Sequence, residues 1–233
     1  MFKFKGISSN EMRVVVEEEE LFVARSAIRY EAIEIEGRDG AIYDELGYSA
    51  VERPIVIQCL DVSKIDDILA WLDGPGELEY KGRKTIARFY AELEPIRNAS
   101  IRIIDTRFIR DPFWYKADDE YEEVDVDNPF VNNEGNTSSR PIIKLVKTTD
   151  DTVTIQINET WITYTFDSEE YVEIDCDAKT VTYKGMNRTR RITIIDGHTT
   201  EYVFPYFEPS DNNYAFSVDG ECTILLKRKD RWL

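Results

Sequence analysis

Apolar and polar residues alternate along much of this chain, and that period of two constrains its fold more than any other feature. Val153, Ile155 and Ile157 alternate with Thr154, Gln156 and Asn158, and Ile162, Tyr164 and Phe166 with Thr163 and Thr165. Successive side chains of a strand point to opposite faces, so each run predicts a strand with one face on a core and the other in water. Denser runs at 54–60, 85–93, 101–109 and 222–226 are rich in β-branched and aromatic residues and read as further strands. One segment breaks the pattern. Ile65, Ile68, Leu69 and Leu72 recur at helical spacing, which predicts a helix over about 63–73 with Ser63 as its N-cap and Asp66 in a capping-box position. Asp73-Gly74-Pro75-Gly76 ends it, with Gly74 placed for the left-handed C-terminal conformation.

The 233 residues suffice for one large or two small domains. Between 117 and 136 the composition shifts to Asp118-Asp119-Glu120 and Glu122-Glu123, then to Asp125, Asp127, Asn128-Pro129 and Asn132-Asn133-Glu134-Gly135-Asn136. Self-repelling charge followed by turn-formers reads as a linker. The expected domains are 1–125, a β domain carrying the helix, and 126–233, an all-β domain built as a sandwich. The linker aspartates lack the spacing of a calcium loop, so a solvated linker is the preferred reading and no metal is assigned.

Charge narrows the function. With 46 acidic and 29 basic residues the chain carries a net charge of −17 and repels nucleic-acid phosphates and anionic membranes on average. The cluster Lys227, Arg228, Lys229 and Arg231 reads as a solvated strand end. Cys59, Cys176 and Cys222 are far apart and odd in number, which predicts reduced thiols and a reducing cytoplasm. The first residues lack the apolar stretch of a secretion signal, and no run of residues is apolar enough to span a membrane.

Catalytic signatures are missing. The sole histidine, His198, lies in the turn Asp196-Gly197-His198-Thr199-Thr200, and there is no nucleophile elbow, phosphate loop or Cys/His metal spacing. Carboxylates are too abundant for any pair to point to a glycosidase, and Glu17-Glu18-Glu19-Glu20 reads as a solvated loop or a charged strand edge. Phe113-Trp114-Tyr115 and Tyr202–Phe207 read as core or interface anchors before they read as sugar platforms. No catalytic, cofactor-binding or metal residue is assigned.

Several blocks, in order, resemble the distal tail protein family of long-tailed phages that infect Gram-positive hosts. They are Phe4–Ser9; Ile35-Glu36-Gly37-Arg38-Asp39-Gly40 with Leu46-Gly47-Tyr48; Ile68–Gly76, including Trp71, Leu72 and Gly74; and Asp111-Pro112-Phe113-Trp114-Tyr115. Then come Asn133-Glu134-Gly135-Asn136-Thr137, Pro141–Lys144, Ile174-Asp175-Cys176, Phe204-Pro205 with Pro209 and Asn212, and the terminal Arg231-Trp232-Leu233. Gly37 and Gly40 bracket a tight turn, and Pro141 can open a strand.

The resemblance implies a fold, an N-terminal β-sandwich with one helix followed by a galectin-like β-sandwich. It also implies a structural role in the virion tail after synthesis in the host cytoplasm. Six copies would close a ring through the N-terminal domain and the strands after the helix. That ring would join the tail tube to the tip and pass DNA. Its partners would be the major tail protein, the tape-measure protein and the tail-associated fibre or lysin protein, with no stable nucleic-acid or membrane binding. An acidic lumen would let DNA slide. Galectin-type sugar residues are not found, since His198 is followed by Thr199-Thr200 and Trp161 lacks the usual neighbours. A carbohydrate-binding module for host adhesion is the alternative, and a wall-directed hydrolase a third reading.

Overall fold

The computed structural model describes residues 1–90, 92–125, 130–157, 159–196, 203–209 and 214–233. Residues 1–117 and 118–232 form two compact units.

The first unit is built on one antiparallel sheet. Its strands are β1 (Phe2–Phe4), β2 (Ile7–Ser8), β3 (Val14–Val16), β6 (Val51–Cys59), β7 (Pro75–Tyr80), β8 (Arg83–Phe89), β9 (Pro95–Asn98), β10 (Ile101–Arg110) and β11 (Trp114–Lys116). The order is β2-β1-β7-β8-β10-β6-β3, with β9 on β10 and β11 on β8. The missing numbers belong to a separate two-stranded hairpin, β4 (Ile28–Glu34) and β5 (Ala41–Tyr48). Alternation sets the buried face, as Ile104, Thr106, Phe108 and Arg110 of β10 point inward while Asp105 and Arg107 face out. Helix α1 (Ile65–Leu72) buries Ile68, Trp71 and Leu72. Trp71 stacks on Phe2 at 5.8 Å and donates its indole N–H to the Phe4 carbonyl at 2.8 Å. Phe22, on a short 3-10 turn, meets Phe2, Phe108 and Tyr80 with ring centroids 5.2–5.7 Å apart.

The helix is capped differently from the sequence expectation. Ser63 lies inside a 3-10 turn, Val62–Lys64, which Asp61 caps by accepting from the Ser63 amide at 3.0 Å. Helix α1 follows directly from that turn, and its own cap position, Lys64, makes no side-chain cap bond. Gly74 is left-handed as expected, with φ of 72°.

The second unit is a β-sandwich. One sheet runs β12 (Glu122–Glu123), β22 (Cys222–Lys227), β14 (Ile142–Lys147), β17 (Tyr171–Asp175), β18 (Thr180–Tyr183), β19 (Met186–Asn187). The other runs β13 (Phe130–Val131), β21 (Tyr214–Asp219), β15 (Thr152–Ile157), β16 (Thr160–Thr165), β20 (Ile192–Asp196). A last short strand, β23 (Arg231–Trp232), follows. Both sheets feed one core: Ile143, Leu145, Val172, Ile174 and Ile224 from the first, Val153, Ile155, Ile162, Tyr164 and Ile194 from the second. The mainly β reading, with its helix in the first unit and a sandwich in the second, is what the chain adopts.

The units divide earlier than residue 125. Glu122 and Glu123 pair with Leu226 and Leu225, Val124 is buried in the sandwich core, and the Tyr121 hydroxyl meets Glu173 at 3.2 Å. Alternating contact of Tyr121, Glu122 and Val124 with a sheet outweighs the local charge repulsion that suggests a solvated linker. Arg228 is likewise not a solvated strand end, for its guanidinium is largely buried against Glu134 (3.1 Å) and Asp230 (3.5 Å). Asp127, Asn128, Pro129, Asn158, His198, Tyr202 and Asn212 lie outside the described residues.

Candidate assembly surfaces

The hairpin β4–β5 is the longest exposed element of the first unit among the described residues. Every residue of β4 is exposed, and β5 is exposed from Ile42 to Gly47. Tyr30, Ile33, Ile42, Tyr43 and Leu46 are between 41 and 64% accessible. The two strands pair with each other and with no other strand among the described residues. An isolated two-stranded ribbon is marginal in water, and apolar pairs exposed on both its faces, Tyr30 with Tyr43 on one and Ile33 with Ile42 on the other, suit contact with another molecule. Its tip turns at Gly37 and Gly40, with φ of 81° and 79°, and the Arg38 amide donates to the Ile35 carbonyl. Asp39 completes the turn.

The root of the hairpin is fixed. Ser49 donates its amide and hydroxyl to the Ala27 carbonyl at 2.9 and 3.0 Å. Ser26 donates to the Pro112 carbonyl at 2.6 Å, and the Tyr48 ring meets Phe113 edge-on at 5.3 Å. Beneath this lies Arg110, 1% exposed. Its guanidinium donates to the carbonyls of Phe22 (2.8 Å), Ala24 (2.5 Å), Asp111 (2.6 Å) and Pro112 (3.2 Å), and it lies 5.1 Å from the Trp114 ring centre. Burial, together with the neighbouring Arg53 charge, pushes its pKa down to about 10. Arg110 ties the segment before the hairpin to the block 111–115, so Asp111, Pro112, Phe113 and Trp114 form a socket. Tyr115 lies beyond it on β11, paired with Lys84.

The other sequence blocks are structural in position. Trp71 and Leu72 fix the helix, as above. Gly135 packs so tightly that a Cβ there would lie 2.2 Å from the Arg231 carbonyl oxygen. Its amide donates to the Asn133 side chain, and the Asn136 amide donates to Arg231. Pro141 stands just before β14, and its carbonyl accepts from the Cys176 amide at 3.1 Å. Asp175 accepts from the amides of Asp177 and Ala178 and so shapes the turn after β17. The structure brings Asp111 to Trp114 together with the hairpin root; it does not bring the remaining blocks into one site. Sequence reasoning missed Arg110, although its parity gives the signal: it falls in the inward set with Ile104, Thr106 and Phe108.

Two charged groups, Glu169 and Asp230, are held inside the second unit. Glu169 is 2% exposed overall and takes Arg188 at 2.6 Å, Arg191 at 3.5 Å and the Asp167 amide at 2.8 Å. Burial works against its charge, but the amide and guanidinium bonds prevail and hold its carboxyl down at about 2. This is a lock on the loop 188–191 rather than a reactive acid, since both carboxylate oxygens already have partners. No group of three or more His, Cys, Asp or Glu suited to a metal occurs among the described residues.

Residues 134–232 match the family model for the siphovirus-type tail component, C-terminal domain. That match covers most of the C-terminal unit. The whole chain also shares the fold of the SPP1 Dit (gp 19.1) protein, described as a paradigm of the hub adsorption apparatus in phages that infect Gram-positive bacteria. The TM-score is 0.72 at 14% identity, over all of this chain and 98% of that one. Two structures of the phage P2 baseplate in its activated conformation, with Ca and with Sr, align with TM-scores of 0.41 and 0.37 at 10 and 11% identity, each over 95% of this chain and 92% of theirs. No curated protein matches by sequence. The resemblance drawn from the sequence blocks is thereby borne out, by the family match over the tail-component domain and by shared fold over both units.

Proposed function

We propose that the chain is the distal tail hub of a long-tailed phage or prophage, a structural subunit of the tail tip and not an enzyme. Six copies close a ring that joins tube to tip and passes DNA. The observation that carries this reading is the hairpin 28–48, whose exposed tyrosine and isoleucine pairs meet no other strand among the described residues, in a chain whose residues 134–232 match a tail-component family model. A ring requires a heterologous contact, one surface on each copy meeting a different surface on the next. The major tail protein, the tape-measure protein and the tail-associated fibre or lysin protein are the further partners, as the resemblance to distal tail proteins implies. The charge divides unequally. Residues 1–117 hold 17 basic and 22 acidic residues, net −5, and 118–233 hold 12 and 24, net −12. A ring built from the first unit is thus mildly acidic, which favours DNA sliding over sticking. Replacing 28–48 by a short Gly-Ser connection tests the reading: each unit should stay folded while ring-sized particles disappear from negative-stain images. A wild-type chain that forms no ring-sized particles contradicts the reading, and rings that persist without the hairpin contradict the hairpin's part in closing them.

One observation favours a second reading, a saccharide surface. Trp161 is 43% exposed on the outer face of β16, opposite Ile195 at 58% and beside the paired hydroxyls of Thr154 and Thr163. A raised melting temperature with neutral oligosaccharides that vanishes in Trp161→Ala would support it.

A further inference from the structure

Three pairs of like charge face each other across strands in the first unit among the described residues: Lys116–Arg83, whose members have other partners, and two pairs opposite in sign that have no ion-pair partner. On the hairpin, Glu31 and Asp44 are direct cross-strand partners, both exposed. On the sheet, Arg97 of β9 and Arg102 of β10 are direct partners, Arg97 exposed and Arg102 partly so. Like charges directly opposite destabilise a strand pair. Neither pair is relieved within the chain, because no ion pair reaches any of the four groups among the described residues, and the single side-chain bond is from Arg102 to the carbonyl of its neighbour Ile101 at 3.2 Å. The surroundings extend the contrast. The hairpin carries six acidic and two basic residues over 28–48, while 83–110 carries seven basic and three acidic. Beside Glu31 and Asp44, on the same hairpin face, the cross-strand pair Ile33–Ile42 is 46 and 41% exposed. Among the described residues β9 pairs with β10 alone, which leaves its far edge without a strand partner there.

We propose that the hairpin of one copy docks on the β9–β10 edge of the next copy, setting the Glu31–Asp44 carboxylates against the Arg97–Arg102 guanidiniums. This rests on the ring reading and supplies its two unlike surfaces. Each copy gives a carboxylate pair to one neighbour and an arginine pair to the other, so both repulsive pairs are relieved only on assembly. Repulsion between wrong partners also favours this register over hairpin-to-hairpin contact.

The test uses the full chain and light scattering with chromatography over a concentration series. Glu31→Arg with Asp44→Arg, and separately Arg97→Glu with Arg102→Glu, should each raise the concentration for half-assembly by about tenfold or more. The chain with all four reversals should assemble as the wild type does. Arg97→Gln with Arg102→Gln guards against a folding defect, since it removes repulsion and should leave the melting temperature unchanged or higher while still losing assembly. Wild-type rings with undiminished assembly of both reversal variants overturn the docking and leave the ring reading intact. A wild-type chain that is monomeric at every concentration overturns the docking together with the self-association it rests on.

Discussion

At the residue scale, two buried charges make opposite use of their surroundings. Arg110 has no carboxylate among its bonded partners and is satisfied by four backbone carbonyls, so it acts as a fastener for the chain rather than half of an ion pair. Arg110→Met keeps the volume but leaves those carbonyls without their donor. It should cost about 3 kcal/mol in urea unfolding and speed amide exchange over 22–27. Loss of neither stability nor protection would show that the fastener is idle. Glu169 lies in the reverse situation. Its folded pKa near 2 is below the 4.5 of a free glutamate. Its stabilising contribution is therefore complete above about pH 4.5 and is lost as the pH falls through 2. A wild-type minus Glu169→Gln stability difference of about 3 kcal/mol at pH 7 should shrink steadily from pH 4.5 downwards. A difference independent of pH would mean that packing, not charge, holds the 188–191 loop.

At the scale of elements, period two located the strands because each buries one face, and Val153–Ile157 and Thr160–Thr165 are found where the alternation places them. The helix was legible from its apolar spacing, but its start was not, because Asp61 caps a 3-10 turn that takes in Ser63 and α1 begins only after Lys64. The acidic stretch at 118–125 misled for a related reason: charge density is local, whereas the pairing of Glu122 and Glu123 with β22 comes from residues about a hundred positions later. The hairpin's exposure was equally hidden. Ile28 and Tyr30 alternate with Arg29 and Glu31, and Ile33 and Ile35 with Glu34 and Glu36, like any half-buried strand, and nothing in that pattern shows that no core lies beneath them. Glycine packing belongs at this scale too. Gly135→Ala forces a Cβ against the Arg231 backbone, which cannot swing aside, and should cost about 2 kcal/mol or more. Gly76→Ala meets mainly the flexible Lys5 side chain and should cost less. Equal melting temperatures for the two variants would contradict this ranking.

For the whole molecule, the chain reads as two self-sufficient β units with different tasks. The second has its own continuous core, and residues 134–232 match the tail-component family model. The first has a core closed by Phe22 and Trp71, yet extends an apolar hairpin outward. A unit that satisfies its interior and still exposes such a ribbon is a subunit of something larger. The net charge of −17 opposes gathering copies together, and screening by salt eases that opposition. The most direct measurement is the mass of the purified chain by light scattering at low and high salt, with negative-stain images of the largest species. Six copies of 27.2 kDa give about 163 kDa, and the account predicts that mass together with particles showing a central hole. A 27.2 kDa species under every condition, or a closed dimer without a hole, would contradict it.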